Sequence, residues 1–382
     1  MKILYIANAR IPTEKAHGIQ IMNMCRAFGN IHEVELIVPK RKNHIRQDAF
    51  EYYGIPPNFR MRKLGCLDLT GIIPALGFWI QSLSFFIAAK IFLDIKKDGV
   101  LYSREFLTGL FFKNYVLEIH TLPKRIRSIH LRVWQKAQAL IVITRRMKDM
   151  LARAGIAEEK ILVAPDGVDV ERFKIYDLRF KNKYREELGL PTDKKIVMYT
   201  GHLYDWKGAG TLLQAAKNFQ FTPTLSPPYQ GGDEEGVFVF VGGTEKDIAR
   251  FKKQAEGLDN VLILGQKPHS EIPKYLAAAD VLLLPNSGKK DISRYYTSPI
   301  KLFEYMASGR PIVASNLSSI VEILNDQNSV LVEADDPEAL ARGINSVLED
   351  EQLAKRIADA ALENVKQYDW NARAKKILEF IS

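Results

Sequence analysis

Short apolar runs recur along the first half of the chain, as "KILYIA", "VELIVP", "GVLYS", "YVLEIH" and "ALIVIT", separated by longer helix-like stretches such as 18–28 and 147–154. Strands alternating with helices predict a parallel sheet covered on both faces. The second half restarts the pattern with "KIVMYTG", "VFVFVGG", "VLILGQ", "DVLLLP" and "PIVAS", again spaced by amphipathic segments such as 271–279. Two doubly wound α/β domains are therefore expected. Between the two series lies the polar segment "PDGVDVERFKIYDLRFKNKYREELGLPTDKK", with turn residues at Pro165, Gly167 and Pro191. The linker is placed near 172, giving domains 1–172 and 173–365. Trp370, Ala374, Ile377 and Leu378 fall on helical spacing, so a helix within 366–382 is expected to pack back on the first domain. The Pro- and Gly-rich stretch 218–236 is expected to be a surface loop, and no internal repeat of solenoid period is found. Ligands of open parallel sheets sit beyond the carboxyl ends of the strands, so two such domains facing each other would leave a cleft between them.

Composition narrows the class. A length of 382 residues favours two cores, and 47% hydrophobic with 26% charged residues is ordinary for a globular chain. The formal charge of +9 favours polyanionic partners: nucleic acid, acidic lipid or phosphorylated small molecules. Cys25 and Cys66 are too few for a zinc cluster or a disulfide framework, which fits a reduced cytoplasm. "MKILYIANARIP" reads as a first strand rather than a signal peptide. The segment 72–93 has the length a bilayer requires, but Pro74, Gly77, Gln81, Ser82 and Ser84 dilute it, so a buried or membrane-touching helix is expected rather than a span.

Two loops carry chemistry. After "KIVMYTG", Gly201 permits a tight turn, and Lys207 and Gly208 precede a helix; a lysine beside glycines and a helix start is suited to phosphate. The surface-lysine reading stands beside it, because no P-loop spacing occurs. In "NSGKKDISRYYTSPIKLFEYMASGRPIVAS" a helix is expected from about Pro299 to Ser308, with free amides near Ser298, Ile300 and Lys301 able to bind an anion. Glu304 sits among Leu302, Phe303, Tyr305 and Met306, where an unpaired carboxylate is costly. A hydroxyl-rich ligand would satisfy it; so would pairing with Lys301 or Arg310. No Asp-x-Asp pair lies on a suitable loop, so neither metal nor other cofactor is expected. The first strand lacks GxGxxG, which argues against a dehydrogenase, and no helix-turn-helix, RRM-like motif or basic arm supports nucleic-acid binding.

These segments resemble the retaining glycosyltransferases of family 4, which share the GT-B fold of two Rossmann-like domains, and the resemblance covers nearly the whole chain. "GHLYDWKG" is similar to the loop whose basic residues grip the donor diphosphate; Lys207 matches, and His202 stands where an arginine is usual. "SPIKLFEYMASGRPIVAS" resembles the two-glutamate motif whose second member bonds the nucleotide ribose. Glu304 is that member, and Tyr296 stands where the first glutamate is expected, leaving the sugar open. "YVLEIHTLP", "APDGVDVERF", "VFVFVGG" and "VLILGQKPHSEIPKYLAAADVLLLP" extend the likeness. The resemblance implies that His120 touches the donor sugar or the acceptor, with His17 beside it. It further implies that Gly18 and Gly201 lie near the diphosphate and that Gln266 and Lys267 hold the base through backbone. Ser298, Pro299, Ile300, Lys301 and Leu302 are then donor-binding. It implies a nucleotide-diphosphate sugar as donor and a same-face substitution lacking the paired carboxylates of retaining glycosidases. Basic residues in "PKRIRSIHLR" and "KRKNHIR", with the apolar helix around Phe78 and Trp79, suit docking on anionic lipid. The acceptor is accordingly expected to be a glycan or lipid-linked molecule of the cell surface. A nucleotide-sugar epimerase and a binding protein without turnover are the rival readings.

Overall fold

The computed structural model describes residues 1–96, 99–219 and 236–382. Most of the 218–236 stretch lies outside the described residues. The chain forms two compact units: 1–167 with 370–382, and 168–369. Residues 168–172, placed with the first domain from sequence, lie in the second unit, whose core includes Val168, Val170 and Phe173.

In the first unit the strands are β1 (Lys2–Ile6), β2 (Glu33–Lys40), β3 (Arg60–Gly65), β4 (Val100–Ser103), β5 (Tyr115–Ile119), β6 (Ala139–Val142) and β7 (Ile161–Val163). They form one sheet in the order β3-β2-β1-β4-β5-β6-β7. Every pairing is parallel, and β1 lies between β2 (Ile3 opposite Val34) and β4 (Ile3 opposite Val100). The second unit holds β8 (Lys195–Thr200), β9 (Gly236–Val241), β10 (Val261–Gly265), β11 (Val281–Leu284), β12 (Ile312–Ser315) and β13 (Val330–Val332). Their order is β10-β9-β8-β11-β12-β13, again all parallel. Because β8 continues to β9 on one side while β11 flanks it on the other, the order reverses at β8/β11. Open α/β sheets bind ligands beyond the strand ends at such a point.

Five helices frame the candidate sites and surfaces: α1 (Ala16–Gly29), α2 (Pro74–Lys96), α3 (Ala209–Asn218), α4 (Ile300–Ala307) and α5 (Trp370–Ile381). The inward face of α2 buries Phe85, Phe86 and Ala89, and Gln81 and Ser82 hydrogen-bond Asn8 just after β1, each at 2.9 Å. Its polar positions are thus used in anchoring the helix to the sheet. The opposite face is also apolar: Leu76, Trp79, Leu83, Ile87 and Ile91 follow one another at helical spacing and are all exposed. By length and composition alone Pro74–Asp94 is long and apolar enough to cross a membrane, and 39% of its apolar window is buried within the unit. The last helix, α5, lies on the first unit, where Trp370, Ala374 and Ile377 are buried.

Candidate functional site

In the second unit the loop after β8 turns at Gly201, whose φ of +122° favours glycine. Its Cα faces the Lys301 side chain: an added Cβ would lie 3.7 Å from Lys301 Cδ and 3.9 Å from Nζ. His202 stacks on Tyr204 with ring centroids 4.9 Å apart. A short 3-10 turn, Asp205–Lys207, carries Lys207, whose Nζ lies 4.1 Å from the centre of the Trp206 ring. Gly208 then starts α3 with φ +75°. This loop is pinned to the one after β11, where the Ser287 amide donates to the Trp206 carbonyl at 3.1 Å. The two loops at the sheet reversal therefore form one platform.

Helix α4 starts one residue later than expected, with Pro299 in extended conformation at the N-cap and no side-chain cap. It is buried along its whole length, and the Tyr305 hydroxyl accepts from the Thr200 amide at 2.8 Å, which ties it to the end of β8. Lys301 is buried with Nζ 3.8 Å from the centre of the Tyr199 ring and no hydrogen-bond partner among the described residues. Burial, and then the charge of Lys207, push its ammonium well below the usual lysine range, while Glu304 works in the other direction. Burial alone brings Lys207 down to about 8. Two desolvated lysines close enough to repel each other, beside a helix start, form a ready site for an anion of more than one charge.

Glu304 is buried, and its partner is neither Lys301 nor Arg310. Its Oε1 lies 2.6 Å from His269 Nε2, on a turn that follows β10, and His269 Nδ1 faces Arg172 at 3.5 Å. His269 stands inside a segment whose likeness to the family is visible in sequence, but nothing in "KPHSEIP" signals that this histidine reaches a carboxylate 35 residues on. The same loop carries Gln266, which is exposed, and Lys267, whose Nζ lies 6.0 Å from the centre of the Tyr275 ring. Tyr296 ends the short helix Asp291–Tyr295, two residues before the buried Ser298. Lys207, Gly201, Lys301, Leu302 and Glu304 thus belong to one neighbourhood built around β8 and α4.

The remaining candidates lie in the first unit. His120 follows β5, with Nε2 2.9 Å from Glu118. His17, near the start of α1, is pushed down to about 4 by burial and then by the charges of Arg104 and Lys15. Gly18 has a packing reason: an added Cβ would lie 2.1 Å from the Tyr53 hydroxyl, which donates to the Thr13 carbonyl at 2.8 Å. Glu118, His120 and Asp166 offer three ligand atoms within 4.8 Å of one another, but Arg373 Nη2 already occupies Glu118 Oε1 at 2.7 Å. A cation there would have to displace a guanidinium.

Two parallel Rossmann-like sheets, the second carrying a basic strand-end platform, define the GT-B architecture. Residues 180–364, all within the second unit, match the sequence profile described as Glycosyl transferases group 1. The D-inositol 3-phosphate glycosyltransferase of Corynebacterium glutamicum is 25% identical over 250 residues, 63% of this chain and 56% of that protein. The amylovoran biosynthesis glycosyltransferase AmsK of Erwinia amylovora is 27% identical over 230 residues, 60% of this chain and 50% of that protein. The chain thus spans about half the length of these curated relatives. Among solved structures, Anabaena Alr3699/HepE in complex with UDP and glucose superposes with a TM-score of 0.73 at 19% identity, covering 99% of this chain and 98% of that one.

Proposed function

We propose that the chain is a retaining glycosyltransferase that moves a hexosyl unit from a nucleotide-diphosphate sugar to a glycan or lipid-linked acceptor, in the cytoplasm and at the inner face of the cell membrane. The observation that carries this reading is the pair of desolvated lysines, Lys207 and Lys301, beside the start of α4 and one turn from Glu304. A nucleoside diphosphate fits that pattern: the diphosphate takes the lysines and free amides, and the ribose hydroxyls donate to Glu304. Likeness to a protein solved with UDP and glucose supports the donor class. Likeness to a glycosyltransferase of amylovoran biosynthesis supports an acceptor in polysaccharide synthesis.

In the reaction the bond between the sugar C1 and the diphosphate oxygen breaks, and the acceptor oxygen bonds C1 on the same face. The acceptor proton passes to the departing diphosphate. Negative charge grows on the diphosphate as it leaves, so fixed ammonium groups and amide dipoles stabilise the transition state more than the bound donor. This chemistry asks for no metal. Glu304→Ala is expected to weaken donor binding by roughly ten- to a hundredfold, the worth of about one hydrogen bond to a charged acceptor, measured by calorimetry with UDP-, GDP- and ADP-sugars. Binding within threefold of wild type for the donor that binds would sink the ribose assignment. Tyr296 in place of the first glutamate favours a second reading, a binding protein without turnover; donor binding with no product from cell-extract acceptors would select it.

For the acceptor side, the exposed apolar row of α2 supports a membrane surface, because it stands beside cations of the edge strand. Arg60 and Lys63 of β3 are exposed, and the Arg62 guanidinium lies 4.8 Å from the centre of the Phe92 ring. Apolar burial with flanking cations is the combination that anionic bilayers retain. Wild-type protein is expected to sediment with phosphatidylglycerol-containing vesicles at low salt, and the double variant Trp79→Glu/Ile87→Glu to stay in solution. Equal sedimentation of both would remove the membrane from the reading.

A further inference from the structure

The first unit holds a buried carboxylate that the transfer reaction does not use directly. Glu118 lies in the interior strand β5 with 0% of its surface exposed, where an ionised group is stable only if densely hydrogen-bonded. Four elements supply donors. Gln20 Nε2 of α1 (2.8 Å), His120 Nε2 (2.9 Å) and Arg373 Nη2 of α5 (2.7 Å) converge on Oε1, and the Tyr102 hydroxyl of β4 (2.5 Å) takes Oε2. The Gln20 amide is oriented in turn by Arg104, whose Nη1 donates to its oxygen at 2.6 Å. Arg373 also donates through Nε to the Pro165 carbonyl (2.7 Å) and through Nη2 to the Ala164 carbonyl (3.0 Å), just beyond β7. It is buried and is the one full charge that the final helix brings to this cluster.

We propose that Arg373 is a positioning residue: it holds Glu118 as a carboxylate, and Glu118 thereby fixes the His120 ring with its proton on Nε2 and its Nδ1 as hydrogen-bond acceptor. A carboxylate accepts only, so the ring nitrogen facing it must be the protonated one. Burial by itself raises the Glu118 pKa; the Arg373 charge, followed by the His120 hydrogen bond, more than reverses this and holds the carboxyl far below its usual range. With the guanidinium gone, burial dominates and Glu118 takes up a proton from solvent. It then presents an O–H, Nε2 becomes the acceptor and the ring proton moves to Nδ1. Among the described residues His120 Nδ1 has no hydrogen-bond partner, which leaves it available to accept from a sugar or acceptor hydroxyl. That last step rests on the proposed transferase function and on the place beside the sugar that the family likeness implies for His120; the link from Arg373 to the ring does not.

The test reads the ring itself. In full-length protein with 15N-labelled histidine, the His120 resonances are assigned by their loss in His120→Asn. Neutral wild-type His120 is expected to show a protonated Nε2 and a bare Nδ1, Arg373→Met a proton on Nδ1 or a mixture of tautomers, and Arg373→Lys a largely restored wild-type signature. In transfer assays Arg373→Met is expected to lower kcat by about tenfold or more, the scale of a misplaced group, with the donor KM changed less than about twofold. A folded Arg373→Met protein with the wild-type ring signature overturns the proposal, and so does a wild-type ring protonated on Nδ1. Should Arg373→Met not fold, Arg373→Gln, which keeps a donor for the Pro165 carbonyl without the charge, gives the same reading. Absence of any donor binding would defeat the proposed function while leaving the ring signature, and this inference, to stand or fall separately.

Discussion

Donor affinity is expected to fall as the pH rises above about 8, while the unliganded protein becomes more stable over the same range. Burial has brought Lys207 down to about 8, and burial with the Lys207 charge has taken Lys301 lower than its ordinary range. A diphosphate binds the ammonium forms and raises both pKa values, so above the free-state values binding must take up protons. Each proton taken up costs up to a factor of ten in affinity per pH unit. The sign for stability is opposite. The folded pKa of Lys207 lies below its ordinary 10.5, so between about 8 and 10.5 the unfolded chain binds more protons, and stability rises with pH. Isothermal calorimetry with the nucleoside diphosphate from pH 6.5 to 9.5, run beside thermal unfolding without ligand, separates the two trends. Lys207→Ala is expected to flatten the pH dependence and to lower kcat/KM by roughly 10²- to 10³-fold, the cost of removing one preorganised group from a developing negative charge. Affinity independent of pH across that range, or Lys207→Ala within threefold of wild type, would contradict the anion site.

Legibility in the sequence depended on which interactions leave a local trace. The central strands announce themselves as apolar runs because both faces are covered. The edge strands do not: β3, "RMRKLG", exposes Arg60 and Lys63 because backbone pairing at one edge needs no apolar side chains, and β13, Val330–Val332, is apolar but only three residues long. The turn signals around Lys207 and Pro299 were equally local, which is why the platform was legible. Its refinements were not. Tyr199 under Lys301 and His269 against Glu304 are contacts across 102 and 35 residues, made by the sheet order rather than by any spacing. Glu118 did leave a trace, as a lone charge in "YVLEI", yet its four donors come from residues 20, 102, 120 and 373, and only the folded unit collects them. The segment around Trp79 showed its length and apolarity; that a whole apolar stripe remains uncovered is visible only once the inner face is spent on Phe85, Phe86 and Ala89.

Gly208→Ala is expected to be among the most damaging single changes in the second unit, and Gly210→Ala, two residues on, to be harmless. Gly208 has φ +75°, which alanine adopts only at a cost of about 1–2 kcal/mol. Its added Cβ would lie 1.5 Å from the Pro285 carbonyl oxygen and 2.5 Å from the carbonyl carbon. These are backbone atoms at the end of β11, and no rotamer change relieves the overlap. The loops after β8 and β11 must part, which breaks the bond from the Ser287 amide to the Trp206 carbonyl and carries Lys207 away from Lys301. Strain and the lost contacts together are expected to destabilise the unit by roughly 3 kcal/mol, and donor binding to disappear even in the fraction that stays folded. Gly210 lies inside α3, where a Cβ meets nothing within 4 Å. There alanine gains helix propensity and restricts the unfolded chain, stabilising by about 0.4–1 kcal/mol. Urea unfolding and donor titration of the two variants check both signs at once. A Gly208→Ala protein as stable as wild type with donor affinity intact would show that the two loops do not need this close approach, and the platform on which Lys207 is placed would have to be redrawn.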